Sequence, residues 1–153
     1  MLKDFESHYC LSMSSRDEHL RHLAEVPLFV SCSQKELRLI ARAGTEVRMT
    51  AGTMIIDQGQ TGREAFVVVN GTVTVKRNGR RVATLGPGAV VGELSLLDHG
   101  PRTATVICDT DCDLLVIDQR HFSGVISEVP SIARRLLENL AGVVRQLDRE
   151  YYG

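Results

Sequence analysis

The sequence VGELSLLDHGPRTATV, residues 91–106, decides the fold, because it combines a glycine turn, a helix start, an acid and an arginine. Gly92 follows an apolar run and can adopt backbone angles that other residues avoid, so a short helix can begin at Glu93. A helix start carries unpaired amide groups and a partial positive charge, both of which suit a phosphate. Arg102 could add charge-assisted hydrogen bonds. We therefore predict an anion pocket.

Two further residues refine this prediction. Glu93 lies in the first helical turn, where its carboxylate could accept a hydrogen bond from a hydroxyl of the same ligand. Pro101 cannot extend a helix, so Arg102 is expected to open a strand over residues 103–107. The alternative interpretation is a plain ion pair between Glu93 and Arg102 at the end of a hairpin.

Composition places the chain among ordinary globular domains. It has 153 residues, 43% hydrophobic and 24% charged, with a net charge of −1 that offers no broad attraction to nucleic acid. No apolar run approaches the roughly 20 residues that a membrane helix needs, and the first residues lack a secretory apolar segment. We expect a cytoplasmic protein with no membrane partner.

The four cysteines are expected to be reduced thiols. They are Cys10, Cys32, Cys108 and Cys112. None has Cys-x-x-Cys spacing, so the pattern does not favour a zinc ribbon or a thioredoxin-like site. The strand-rich region contains one histidine, His99. That count argues against a cupin-like metal enzyme, and no nucleophile triad is visible. We predict no catalytic residue, no metal and no cofactor.

Hydrophobic periodicity divides the chain into an arm, helices and a strand-rich region. Residues 1–14 have no steady period and predict a flexible N-terminal arm, while residues 15–153 form one domain. Ser33 and Glu36 have capping-box spacing at the start of a helix. Residues 45–117 contain short apolar runs separated by glycines, and Asn78-Gly79 is a strong hairpin turn. This pattern predicts an antiparallel roll or sandwich rather than a parallel sheet.

Residues 118–151 predict C-terminal helices, with Asp118 as an N-cap and Pro130 at the start of a long last helix. Two apolar stripes run along that last helix. The first stripe is Leu136, Leu140, Val143 and Leu147; the second is Leu137, Val144 and Tyr151. One stripe could close over a ligand while the other meets a partner helix. The alternative is that both stripes pack on the core of the domain.

The order of residues in 91–106 resembles the phosphate-binding cassette of cyclic-nucleotide-binding domains, the family of catabolite activator proteins, protein kinase A regulatory subunits and cyclic-nucleotide-gated channels. The matching residues are Gly92-Glu93-Leu94, Leu96-Leu97 and Pro101-Arg102-Thr103-Ala104-Thr105-Val106. The resemblance implies that Glu93 holds the ribose 2′-hydroxyl and that Arg102 grips the cyclic phosphate. It also implies a mainly-β fold: an antiparallel, jelly-roll-like β-roll with N-terminal helices, a short cassette helix and a long C-terminal helix.

The same resemblance implies where the base lies. Thr103 follows the phosphate arginine, and a threonine there can bond the amino group of guanine. The implied base-side residues are Val75, Val82, Ala83 and Leu85 of the roll, beside Leu94, with Val144, Leu147 or Asp148 from the last helix. Valine and leucine at strand positions are also ordinary core residues.

The resulting hypothesis is a non-catalytic sensor or regulatory domain that binds cAMP, or less favourably cGMP, and signals through its C-terminal helix. It implies a homodimer through that helix or an unidentified protein partner, and no DNA-binding domain follows Gly153 in this sequence. Two alternatives stay open: a roll without ligand that serves as a scaffold or dimerisation module, and a piece of a larger cyclic-nucleotide-regulated transcription factor, enzyme or channel.

Overall fold

The structure, a computed structural model, describes residues 20–152, without the side chains of residues 143, 147, 151 and 152. The predicted arm, residues 1–14, lies outside the described residues. A helical segment over 20–25 and a 3-10 turn, Pro27–Phe29, come first. The helices that follow are α1 (Gln34–Ala43), α2 (Glu93–Asp98), α3 (Gln119–Glu128) and α4 (Pro130–Tyr152).

Eight strands are present in the described part of the chain. They are β1 (Gly44–Met49), β2 (Met54–Ile56), β3 (Glu64–Asn70), β4 (Val73–Arg77), β5 (Arg80–Leu85), β6 (Val90–Val91), β7 (Thr105–Cys108) and β8 (Cys112–Asp118). They form two four-stranded antiparallel sheets, ordered β1-β8-β3-β6 and β2-β7-β4-β5. The prediction of a mainly-β antiparallel roll with flanking helices is confirmed.

Two apolar clusters stabilise this arrangement. Val47, Phe66, Val73, Val106 and Leu114 belong to the cluster between the two sheets. A second cluster joins the other face of the β1-β8-β3-β6 sheet to the helices. Because side chains of a strand alternate between its two faces, the β3 run fills both clusters, Phe66 and Val68 facing one and Val67 and Val69 the other.

Local sequence signals set the ends of the helices. The Ser33 hydroxyl accepts a hydrogen bond from the Glu36 amide at 3.1 Å, and the Glu36 carboxylate accepts one from the Ser33 amide at 2.9 Å, so the capping box is confirmed. The Asp118 carboxylate accepts a hydrogen bond from the His121 amide at 2.8 Å, as an N-cap does. Pro130 begins α4 as predicted.

The β4–β5 hairpin turns at Asn78-Gly79, where both residues have positive φ angles of 54° and 78°. These angles are typical of a type I′ turn and confirm the predicted hairpin. The ladder pairs Val73 with Leu85 and Val75 with Ala83, and then shifts so that Lys76 pairs with Arg81. Val82 is therefore the extra residue of a β-bulge, and it is 52% exposed.

The strand after the cassette begins later than predicted. β7 starts at Thr105, not at residue 103, because the backbone of Arg102 pairs with a loop instead of a strand. Its amide donates to the Gln60 carbonyl at 2.9 Å, and its carbonyl accepts from the Gly59 amide at 2.8 Å. Arg102 is thus held in a segment between α2 and β7.

The last helix leaves the core part-way along its length. Val129, Ile132 and Leu136 are buried with the helical cluster. Beyond them, Leu137 is 67% exposed and Val144 is 64% exposed. The alternative in which both stripes of α4 lie on the core is therefore wrong for Leu137 and Val144 of the second stripe, which α4 presents to solvent.

The described cysteines are free thiols. Cys108 and Cys112 are both buried between the sheets. Burial, together with the neighbouring Cys112, raises the pKa of Cys108 to about 12, so its reactive thiolate form is disfavoured at neutral pH. These two thiols act as packing residues.

Candidate functional site

Gly92 links β6 to α2 in the left-handed conformation, with φ 82°. A side chain there would be strained by the backbone, and its Cβ would also lie 2.5 Å from Arg102 Nη1 and 3.1 Å from the Glu64 carbonyl oxygen. Both reasons require glycine at this position. The close approach brings the start of α2 directly against the arginine that the sequence predicted.

Arg102 is the central residue of the site, and it is only 8% exposed. Its Nη1 donates to the Gly92 carbonyl at 3.0 Å and its Nη2 donates to the Glu64 carbonyl at 2.8 Å. The second contact ties Arg102 to the first residue of β3, across 38 residues of sequence. These two hydrogen bonds therefore fix the guanidinium in one place.

Gly62 forms the floor beneath Arg102. A Cβ atom built on Gly62 would overlap Nε, Cζ and Cδ of the arginine, so only glycine permits this packing. We call residues 59–64 the cradle, since their backbone holds both the main chain and the side chain of Arg102. Sequence reasoning missed Gly62 and Glu64. The only signal was a pair of glycines, Gly59 and Gly62, in one loop.

Glu93 and Arg102 do not form the plain ion pair of the alternative interpretation. Within residues 20–152, no salt bridge joins them, and the arginine donates to backbone carbonyls instead. Burial raises the pKa of the Glu93 carboxyl, while a hydrogen bond from its own backbone and the charge of Arg102 oppose that rise. Burial lowers the pKa of Arg102, opposed by the charges of Glu64 and Glu93. Both groups therefore carry a desolvation cost that a ligand could offset.

The predicted base-side residues lie at different depths. Val75 and Ala83 are partly buried opposite each other on β4 and β5, and Leu85 packs against the cluster between the sheets. Leu94 and Thr103, both within residues 91–106, are exposed, as is Val82 in its bulge. Val75, Ala83 and Leu85 thus lie on the face of the β4–β5 pair that meets the cluster between the two sheets, which we call the inner cluster.

Two of the three predicted contacts from the last helix, Val144 and Asp148, are not covered by the roll. Val144 is 64% exposed and Asp148 is exposed, while the side chain of Leu147 lies outside the described residues. Contact of these side chains with a base stays a prediction, and it requires α4 to move or bend towards the roll.

Other kinds of site receive no support from the described part of the chain. Residues 20–152 contain no group of three or more His, Cys, Asp or Glu side chains placed to hold a metal ion. None of the helices described here combines the length and apolar content that a bilayer crossing requires.

Comparison with known proteins identifies the family to which this fold belongs. The family model described as the cyclic nucleotide-binding domain matches residues 46–129, more than half of the chain. The chain belongs to the cyclic nucleotide-binding domain family. The matched range includes Gly92, Glu93, Arg102 and the cradle.

Relatives of known identity agree with this assignment. The cyclic AMP receptor protein of Thermus thermophilus is 32% identical over 129 residues, which cover 81% of this chain and 60% of the relative. The cAMP-dependent protein kinase regulatory subunit of Eremothecium gossypii is 34% identical over 72% of this chain and 24% of its own length. The crystal structure of the Thermus thermophilus catabolite activator protein superposes with a TM-score of 0.74 at 32% identity, over 81% of this chain and 61% of that one. The chain thus spans less than two thirds of these relatives.

Proposed function

We propose that this domain is a non-catalytic receptor for a 3′,5′-cyclic nucleotide, with Arg102 on the cyclic phosphate and Glu93 on the ribose 2′-hydroxyl. The observation that carries the proposal is the buried guanidinium, fixed by the Gly92 and Glu64 carbonyls at the start of α2. Fixing a cation before the ligand arrives lowers the entropy cost of binding.

The chemistry of Arg102 favours an anionic ligand. A guanidinium has five N–H groups, of which two donate to the neutral carbonyls of Gly92 and Glu64. The remaining N–H groups can donate to a phosphate. Burying a cation that no carboxylate contacts costs free energy, and a cyclic phosphate would offset that cost. The amide groups at the start of α2 add further donors.

Glu93 supports the ribose part of the proposal and leads to a prediction. Replacing Glu93 with glutamine should reduce the loss of affinity that a 2′-deoxy analogue suffers, because the hydroxyl contact is already weakened in the mutant. Calorimetric titration of both proteins with cAMP and 2′-deoxy-cAMP measures this difference. An unchanged 2′-deoxy penalty would remove Glu93 from ribose recognition.

The same substitution has an expected effect on stability without nucleotide. Since burial raises the pKa of Glu93, the folded protein binds its proton more tightly than the unfolded chain does. Stability from this group is therefore present below the ordinary carboxyl pKa, about 4.3 for glutamate, and is lost as pH rises through the folded pKa. Glu93→Gln should accordingly raise the melting temperature at neutral pH, and the gain should shrink in acid.

Thr103 is the residue that could favour guanine over adenine as the bound base. We infer that cAMP binds more tightly than cGMP, although the exposed Thr103 hydroxyl beside the cassette could bond the guanine amino group. Displacement of a fluorescent cAMP analogue by each nucleotide gives the order of affinities. We expect cAMP to displace it at the lower concentration, and Thr103→Ala to change the cGMP curve more than the cAMP curve. A tenfold preference for cGMP that vanishes in Thr103→Ala would reverse this order.

We propose that α4 is the element that transmits the signal, because its N-terminal end packs in the same buried cluster as α2. Leu96 of α2 lies in the same buried cluster as Val129, Ile132 and Leu136. A shift of α2 on nucleotide binding would therefore change the packing of the α3–α4 junction. A ligand biases a helix position only through such differential contacts.

A second set of contacts joins the N-terminal part of α4 to the loop that precedes β6. Arg135 donates to the Pro27 carbonyl at 2.9 Å and to the Ser31 hydroxyl at 2.8 Å. Pro27 in turn packs against Gly88, where an added Cβ would overlap the proline ring. Gly88 lies in the loop that precedes β6, so the 3-10 turn touches both the segment leading into β6 and the last helix. These contacts support a rigid link between ligand and output.

The first apolar stripe of α4, which contains Leu140, is proposed to pair with a second copy of the chain in a two-fold dimer. Replacing Leu140 with glutamate should weaken that dimer, because the substitution places a charge in the interface. Asn139→Glu is the matched control, since it adds the same charge at an exposed neighbouring position of α4. Sedimentation at several concentrations, with and without cAMP, measures the dimer. A monomer at all concentrations, or equal behaviour of both variants, would contradict the proposed interface.

A further inference from the structure

A cavity of about 670 Å³ lies at an edge of the roll, and Arg102 forms part of its wall. Its other walls come from β1, the cradle, the end of α1 and the β8–α3 junction. Among the proposed nucleotide contacts, Arg102 alone lines it; Gly92, Glu93, Leu94, Thr103 and the base-side residues do not. The cavity is therefore separate from the proposed nucleotide site, and Arg102 is the residue that the two share.

The floor of this cavity is apolar. It is lined by Val47, Met49, Ile55, Phe66 and Val116, of which Ile55 and Val116 are half-buried while the other three are buried in the cluster between the sheets. A volume of this size falls within the range of about 300–1,000 Å³ that is usual for small-molecule sites. An apolar body of a ligand could therefore replace water over these side chains.

The rim of the cavity is cationic. Arg42 and Arg63 are both exposed there, and neither forms a salt bridge with a residue in the described range. His121 also lines the rim, but its Nδ1 lies 2.8 Å from the Asp118 carboxylate. Glu64 is the other acid in the lining. The lining thus contains the guanidinium groups of Arg42, Arg63 and Arg102. Of its two acids, Asp118 is paired with His121, so Glu64 is left to oppose the three arginines.

We propose that this cavity binds an amphipathic organic anion, a small molecule with an apolar body and a single acidic head group. The apolar body of the ligand lies on the floor that includes Val47 and Phe66. Its acidic head group lies at the rim, beside Arg42 and Arg63. An arginine presents paired N–H donors that match a carboxylate, sulfonate or phosphate head group. The apolar floor selects against inorganic anions, which gain nothing from it.

The shared arginine gives this site a regulatory consequence, which rests on the proposed nucleotide function. An anion in the cavity and a cyclic phosphate in the cassette both draw on the charge of Arg102. Each should weaken the binding of the other by the same factor, because coupling between two sites is reciprocal. The cavity would then act as an inhibitory effector site.

The test uses the fluorescent probe 1-anilinonaphthalene-8-sulfonate, an amphipathic organic anion. The double variant Arg42→Gln/Arg63→Gln should bind it at least about tenfold more weakly than wild type, since two charge-assisted contacts are lost. The control Arg38→Gln/Arg81→Gln removes the same charge at exposed arginines outside the cavity and should stay within about twofold of wild type. Thermal melting confirms that all three proteins are folded.

A second variant tests the floor. Val116→Phe fills the cavity from β8 and should abolish the site even though it adds apolar surface. Absence of a saturable probe site, or equal binding by the two arginine double variants, would overturn the proposal. Equal binding is the result expected if the probe binds instead to the exposed apolar side chains of α4, Leu137 and Val144. Titrations are run with and without cAMP. If cAMP fails to bind at all, the proposed nucleotide function fails, while the comparison of the double variants still decides this inference.

Discussion

Replacing Arg102 with alanine should weaken cAMP binding by two or more decades. Each charge-assisted hydrogen bond to the phosphate contributes about 1.5–3 kcal/mol, and a guanidinium can make two in parallel. Losing both corresponds to at least a hundredfold change in dissociation constant. Calorimetric titration of wild type and mutant measures this loss directly.

The alanine variant also needs a test of its fold. Arg102 donates to the carbonyls of Gly92 and Glu64, so its removal leaves both without that partner and opens space above Gly62. Arg102→Lys keeps the charge and most of the volume but cannot reproduce the paired donors. Arg120→Ala, at an exposed position of α3, is the matched control for loss of an arginine. If Arg102→Ala is folded and binds cAMP as tightly as the control, Arg102 does not contact the phosphate.

Replacing Gly62 with alanine should weaken cAMP binding at least about tenfold although Gly62 itself makes no polar contact with a ligand. The new Cβ would overlap Nε and Cζ of Arg102, and the guanidinium is held by two backbone carbonyls. The side chain must therefore leave its place, which sacrifices at least one charge-assisted bond to the phosphate, about 1.5–3 kcal/mol.

Gly86→Ala is the matched control for this substitution. Gly86 also lies in a loop, no atom lies within 4 Å of the Cβ it would gain, and it lacks a positive φ. Calorimetry on both variants, with a melting curve for each, separates displacement of Arg102 from a general loss of stability. Equal affinities for Gly62→Ala and Gly86→Ala would mean that the cradle does not position the arginine.

Short-range patterns predicted most of the fold and pointed to the residues at the centre of the candidate site. The Ser33–Glu36 capping box and the Asn78-Gly79 turn were visible because the interacting residues lie within a few positions of each other. Gly92 and Arg102 were visible because turn chemistry, helix start and arginine fall in one stretch. In each case the interacting residues are close together in the chain, so their arrangement can be predicted from the sequence alone.

Long-range contacts could not be predicted in the same way. The cradle joins Glu64 to Arg102 across 38 residues, and nothing in the loop 59–64 announces a partner in the cassette. The bulge at Val82 depends on how β5 meets β4, which a hairpin motif alone does not determine. The cavity beside Arg102 arises only when β1, the cradle and the β8–α3 junction are assembled.

The central claim is that one cyclic nucleotide binds to each chain with its phosphate against Arg102. Phosphorus NMR of cAMP titrated with the 153-residue chain tests it most directly, because the signal reports the phosphate itself. We predict a new or shifted phosphorus resonance that saturates at one nucleotide per chain and that is absent with Arg102→Lys at the same concentrations. An unchanged resonance with wild type for both cAMP and cGMP, or an identical shift with Arg102→Lys, would contradict the account.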